Sequence, residues 1–129
     1  MNPARTLSDI ESAIHAYLEG IHTGTVELLK ASMHPDCRMI CTSAPGYLNI
    51  GMDVYFDMVA KRQSPAEVGE ERHDEIVSIT RLNEEIAFVN LKCLVLGKYC
   101  EDALTLVPHD GEWRIIAKIF AYQLSAPQQ

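Results

Sequence analysis

Apolar positions in the first half of the chain recur every three or four residues; in the last third they recur every second residue. Leu7, Ile10, Ile14, Tyr17, Leu18 and Ile21 form a helical stripe, which predicts an amphipathic helix over residues 7–21. Ser8 followed by Glu11 reads as a capping box at its start, and Gly20 and Gly24 punctuate its end. A shorter helix follows, carried by Val26, Leu28, Leu29 and Met33, with Thr25 as its cap. Pro35 stops it, because the residue before a proline is pushed out of helical space. Residues 37–42 (CRMICT) read as a strand, Ala44-Pro45-Gly46 as a turn, and residues 47–50 as a short partner strand. A third helix is predicted over residues 52–62, with Val54, Tyr55, Met58 and Val59 as its apolar stripe.

Beyond an exposed acidic segment at residues 67–75, the period falls to two. Residues 76–82 read as a strand closed by Asn83-Glu84. From Glu85 to Leu124 the chain reads as three long strands, IAFVNLKCLVL, CEDALTLV and WRIIAKIFAYQL, joined by GKY and PHDGE. Asp110-Gly111 is a strong hairpin signal, because a type I′ turn needs positive φ and glycine supplies it without strain. Helices first and a meander last is an α+β plan, not a βαβ plan. Three helices, a short hairpin between the second and third, and four long antiparallel strands fit a curved sheet wrapped around the first helix. Its open end would leave a pocket between helix and sheet, where small-molecule sites commonly lie.

The chain has 129 residues, 47% of them apolar, enough for one domain with one core across residues 1–129. Its 11 basic and 18 acidic side chains give a net charge of −7. That balance speaks against nucleic acid and anionic membranes, both of which demand clustered Lys and Arg. No apolar run approaches a membrane span, and MNPARTLSDIE lacks the apolar core of a signal peptide, so a cytoplasmic protein is expected. The four cysteines, Cys37, Cys41, Cys93 and Cys100, make no CxxC pair and read as buried free thiols. Cys93 and Cys100 flank an expected hairpin, which would let them approach each other. His15 and His22 are seven apart with Gly20 between them and no clustered acid, so no metal site is expected. There is no GxSxG, P-loop or GxGxxG, and no cofactor is implied.

The order of elements resembles the nuclear-transport-factor-2-like superfamily, a cone-shaped, cystatin-like α+β fold. The residues that carry the likeness span almost the whole chain: Tyr17-Leu18-Glu19-Gly20-Ile21, Gly24 before Leu28-Leu29, Met33-His34-Pro35-Asp36-Cys37, Tyr55-Phe56, and Asp110-Gly111-Glu112-Trp113-Arg114-Ile115-Ile116-Ala117-Lys118. Within the superfamily it is most similar to the bacterial group labelled "Putative lumazine-binding". The resemblance implies a homodimer through the outer sheet face and a mostly apolar pocket. It admits a binding module, an enzyme of the SnoaL or ketosteroid-isomerase type doing acid–base chemistry next to a carbonyl, or a dimeric interaction scaffold. Fold does not select among these.

Polar residues on apolar stripes are the candidate site. Tyr17 on the inner face of the first helix would line the pocket and donate its hydroxyl to a ligand carbonyl, or stand as a satisfied core tyrosine. His34 would act as a base at near-neutral pKa, or cap the end of the second helix. Tyr55 and Trp113 would supply stacking walls for a small hydrophobic or aromatic molecule. In the closing strand, Trp113, Ile115, Ala117, Ile119 and Ala121 alternate with Arg114, Ile116, Lys118, Phe120 and Tyr122. The second set, aromatic and aliphatic with two cations, reads as the dimer interface, with Lys118 either paired there or reaching the pocket; alternation alone leaves the two faces exchangeable. The 87–96 strand, apolar on both faces, also argues for a covering partner. Asp102 reads as a strand start or a pocket carboxylate.

Overall fold

The computed structural model describes residues 7–43 and 46–126. Helix α1 (Leu7–Thr23) buries Ile10, Ile14, Tyr17, Leu18 and Ile21, as its period predicts. Ser8 of the expected capping box is already inside the helix, and its carbonyl accepts from the Ser12 hydroxyl. Gly24 closes α1 at φ +73°, a left-handed value that glycine adopts without Cβ strain. Gly20 has a different use. A Cβ there would stand 2.8 Å from Leu29 Cδ2, so the missing side chain is what lets α2 (Val26–Ser32) lie against α1.

Met33, expected to end α2, is extended and opens strand β1 (Met33–Cys41), which runs through Pro35. The turn expected at Ala44-Pro45-Gly46 falls in part on residues 44 and 45, outside the described residues. Strand β2 (Leu48–Ile50) and helix α3 (Met52–Lys61) follow. Helix α3 buries Met52, Tyr55 and Val59, whereas Val54 and Met58 of the expected stripe are exposed. The meander comprises β3 (Asp74–Arg81), β4 (Ala87–Val95), β5 (Lys98–His109) and β6 (Glu112–Gln123). Both long hairpins turn on two residues of positive φ, Asp110-Gly111 as expected and Leu96-Gly97 in place of the expected GKY.

All six strands form one curved sheet in the order β2-β1-β6-β5-β4-β3. Strand β1 pairs parallel to β6, and the other neighbours are antiparallel. Helix α1 lies across β6 and β4, and α3 lies on β1, so the helices cover one face. Strand β4 alternates strictly: Ala87, Val89, Leu91 and Cys93 are buried, while Phe88, Asn90 and Lys92 are exposed. The two-sided burial expected of it does not occur within this chain, because helices cover only the one face.

The closing strand departs from simple alternation. Thr105 faces Ala117 and Leu106 faces Ile115, which leaves Ile116 unpaired in a β-bulge. One extra residue exchanges the two faces of a strand. Before the bulge, Trp113 and Ile115 point into the core; after it, Lys118 does so, Phe120 and Tyr122 line a cavity on that side, and Ile119 is 42% exposed. The set expected to form a dimer interface is therefore divided. Lys118, Phe120 and Tyr122 turn toward the helices, Arg114 donates to the Lys30 carbonyl in α2, and Ile116 stands half-buried at the bulge.

Candidate functional site

A cavity of about 200 Å³ lies between α3, the end of α1 and the half of the sheet beyond the bulge. Its wall takes Ile21 from α1, Tyr55 from α3, Met39 from β1, Cys93 from β4, Asp102 from β5 and Lys118 from β6. At its rim, the Glu70 carboxylate accepts from the Leu96 and Gly97 amides at 2.7 and 2.8 Å. This pins the loop after α3 to the tip of the β4–β5 hairpin.

Lys118 is the centre of the site. It is 7% exposed, and Nζ stands 5.0 Å from the ring centre of Tyr17, 5.2 Å from that of Tyr55 and 4.9 Å from that of Phe120. Each face attracts the cation through its quadrupole, an effect that strengthens when water is excluded. No acceptor among the described residues takes a hydrogen bond from Nζ. Burial works against the ammonium, but Tyr55, Asp102, Cys93 and Cys100 together outweigh it and raise its pKa. Lys118 is therefore a cation at neutral pH.

Asp102, 2% exposed, sits mid-strand on the same face as Cys100 and Leu104. Its Oδ2 accepts from the Tyr17 hydroxyl at 2.7 Å. Burial, then the Asp102 carboxylate, hold that hydroxyl well above the ordinary phenol range, so it remains a neutral donor. Oδ1 of Asp102 is buried without a protein partner, as are Tyr55 Oη and Arg62 Nε, and all three residues line the cavity. Donor and acceptor capacity is thus gathered inside an otherwise apolar chamber.

Two thiols complete one wall. Cys93 and Cys100 are directly opposed across β4 and β5, and both are free. The close approach of their side chains moves Cys93 up and Cys100 down, with burial raising both, and Cys100 Sγ also donates to the Lys98 carbonyl at 3.5 Å. Cys37 lies outside the cavity wall, and burial pushes it up to about 12 despite the opposing field of Lys118.

Of the residues singled out in the sequence, Tyr55 lines the cavity, and Tyr17 sits directly behind it, below Lys118 and Asp102. Trp113 and His34 do not line it. Trp113 is buried at the opposite end of β6, beside the Asp110-Gly111 turn. His34 lies at the start of β1, with Nδ1 accepting from the Asp36 amide at 2.9 Å and its ring 4.4 Å from that of His109, edge to face. It follows α2 in an extended segment, which keeps it from the chamber and from Tyr17. Asp102, Cys93 and Cys100 are the site residues that sequence reasoning did not gather. The signal was the period-two series Cys100, Asp102, Leu104, which places an acid among buried neighbours.

A family model described as "Putative lumazine-binding" matches residues 5–121. Among curated proteins none matches the chain. Solved structures share the fold at low identity. An NTF-2-like protein of unknown function from Silicibacter pomeroyi has a TM-score of 0.81 at 17% identity, covering 95% of this chain and 100% of that one. One from Shewanella baltica has a TM-score of 0.81 at 15% identity, covering 97% and 99%. A ketosteroid isomerase-like protein from Erwinia carotovora atroseptica has a TM-score of 0.71 at 16% identity, covering 95% and 98%. With residues 5–121 matched, the chain belongs to the family described as "Putative lumazine-binding", and it shares the cone-shaped α+β fold of these NTF2-like structures.

Proposed function

We propose that the chain binds a compact ring molecule that carries an oxygen acceptor, held with that oxygen at Lys118. The buried Lys118 ammonium carries this reading: it lies over three rings in an apolar chamber and meets no protein acceptor. An ammonium carries three donors, and Lys118 presents its own at the cavity wall. A ligand carbonyl or acid oxygen there would accept a charge-assisted hydrogen bond. The volume bounds the ligand, since a cavity of about 150 Å³ holds benzene. About 200 Å³ therefore suits one ring or two fused rings rather than a steroid. Asp102 Oδ1 offers an acceptor for a ring N–H, and Tyr55 Oη offers a donor. A bicyclic heterocycle with carbonyl and N–H edges has that complement, in keeping with the family's description.

A thermal-shift screen with pteridines, flavins, sterols and fatty acids tests the reading. Two-ring heterocycles raise Tm by mass action, and Lys118→Met removes the shift. Absence of stabilisation by every class overturns it.

A second reading rests on Asp102 and Lys118 sharing one cavity. Asp102 would take a proton next to a ligand carbonyl while Lys118 stabilises the developing oxyanion, with His34 taking no part. Deuterium exchange into small cyclic ketones, abolished by Asp102→Asn, is its test; exchange at the buffer rate excludes it. Buried free thiols suit a reducing cytoplasm. No helix among the described residues is long and apolar enough to cross a membrane. Phe88 and Ile119, exposed on the uncovered sheet face, suit a second copy of this chain.

A further inference from the structure

The geometry points to a binding site for a soft divalent cation of the zinc class, formed by Cys93, Cys100 and Asp102, with its fourth coordination position open to the cavity. Cys93 and Cys100 face each other across the β4–β5 ladder, and Asp102 follows two residues later on the same side of β5. One ligand atom from each of the three lies within 4.8 Å of the others, and all three residues are buried. Zinc–sulfur bonds of about 2.3 Å and zinc–oxygen bonds of about 2.0–2.2 Å in a tetrahedron draw such atoms slightly closer than that limit. A pair of thiolates with one carboxylate favours zinc over magnesium or calcium, which take oxygen ligands throughout.

Asp102 supplies an independent observation. Its Oδ2 is held by the Tyr17 hydroxyl at 2.7 Å, while Oδ1 is buried without a partner. That is the arrangement of a monodentate metal carboxylate whose second oxygen is fixed by an outer hydrogen-bond donor. The surrounding charge also favours the anionic complex. A divalent ion with two thiolates and a carboxylate carries one net negative charge, and the cations Arg62, Lys98 and Lys118 line the same cavity. Three protein ligands with an open fourth position is the plan of a site that exchanges water for a ligand. The site does not depend on an organic ligand, so the metal alone probes it.

The experiment titrates Co²⁺ into the reduced protein under anaerobic conditions. One equivalent is expected to give a thiolate-to-cobalt charge-transfer band in the near ultraviolet and strong tetrahedral bands in the visible, both bleached by Zn²⁺. Cys93→Ser and Cys100→Ser each abolish the charge-transfer signal or halve it, while Cys37→Ser and Cys41→Ser leave it intact. Tyr17→Phe, which removes the outer donor, weakens binding by about tenfold or more. Absence of the charge-transfer band in the wild-type protein at excess cobalt overturns the proposal without reliance on any variant. Its persistence in the Cys93→Ser/Cys100→Ser double variant overturns it equally.

Discussion

The Tyr17 hydroxyl donates to Asp102 Oδ2 at 2.7 Å across 85 positions of sequence, and so ties the first helix to the middle of β5 beneath the cavity. Both groups are buried, and Oδ1 already lacks a partner. Removal of the donor leaves a buried carboxylate without a protein hydrogen bond. Hydrogen bonds to charged groups contribute about 1.5–3 kcal/mol. Tyr17→Phe is therefore predicted to lower unfolding free energy by about 2 kcal/mol in urea titration. A loss below about 0.5 kcal/mol would show that the carboxylate is satisfied by other means.

Stability is predicted to fall at alkaline pH, in two stages. Cys37, Cys93, Tyr17 and Lys118 all have folded pKa values raised above their unfolded ones. For each, the unfolded state releases its proton first as pH rises, so the stabilisation is complete below the unfolded pKa and is lost above it. The decline begins near the unfolded thiol value of about 8.5, where the lowered Cys100 partly offsets Cys93, and steepens beyond about 10 as unfolded Tyr and Lys titrate. Urea midpoints from pH 7 to 11 measure the profile. Tyr17→Phe should flatten the limb above pH 10 and leave the first stage intact; an unchanged upper limb would contradict this assignment.

Thiol reactivity should separate the four cysteines. The thiolate is the nucleophile, so reaction follows thiolate population and access. Cys100 lines the cavity and has a lowered pKa, whereas Cys37 is fully buried and pushed up to about 12. With iodoacetamide at pH 7.5, peptide mapping should find Cys100 modified first and Cys37 last in the folded protein, with the order erased in urea. Equal rates for Cys37 and Cys100 under native conditions would refute the ordering.

Much of this architecture was legible in the chain because its signals are local. The helical stripe of α1, the Asp110-Gly111 turn and the period-two strands each need only neighbouring residues to be read. The bulge is different. Ile116 is a good strand residue on either face, and only its lack of a partner on β5 reveals the extra position. That single residue hid the site: strict alternation carries Lys118, Phe120 and Tyr122 to the face opposite Trp113, whereas the folded strand brings them to the helix side. Asp102 was obscured for a related reason. An acid in a strand reads as an end until the partner that satisfies it, Tyr17 in a distant helix, is known.

The bulge also relocates the test of self-association. Lys118 lies inside, so Lys118→Glu would strike the cavity rather than a dimer contact. On the uncovered face Phe88 is 44% exposed and Ile119 42% exposed, and the register sets Phe88 against Thr105 and Ile119 against Ala103. Phe88 and Ile119 stand as two large apolar side chains among small ones on a face that also carries Thr80, Asn90, Lys92 and Glu101. Exposed apolar anchors with a polar surround favour a partner. If two copies meet through it, Phe88→Glu with Ile119→Lys should convert a dimer to a monomer in sedimentation velocity while leaving the far-ultraviolet circular dichroism unchanged. The substitutions lie on exposed positions of paired strands, so the fold should tolerate them. A wild-type chain that sediments as a monomer at 100 μM, or a double variant that remains dimeric, would remove this face from consideration.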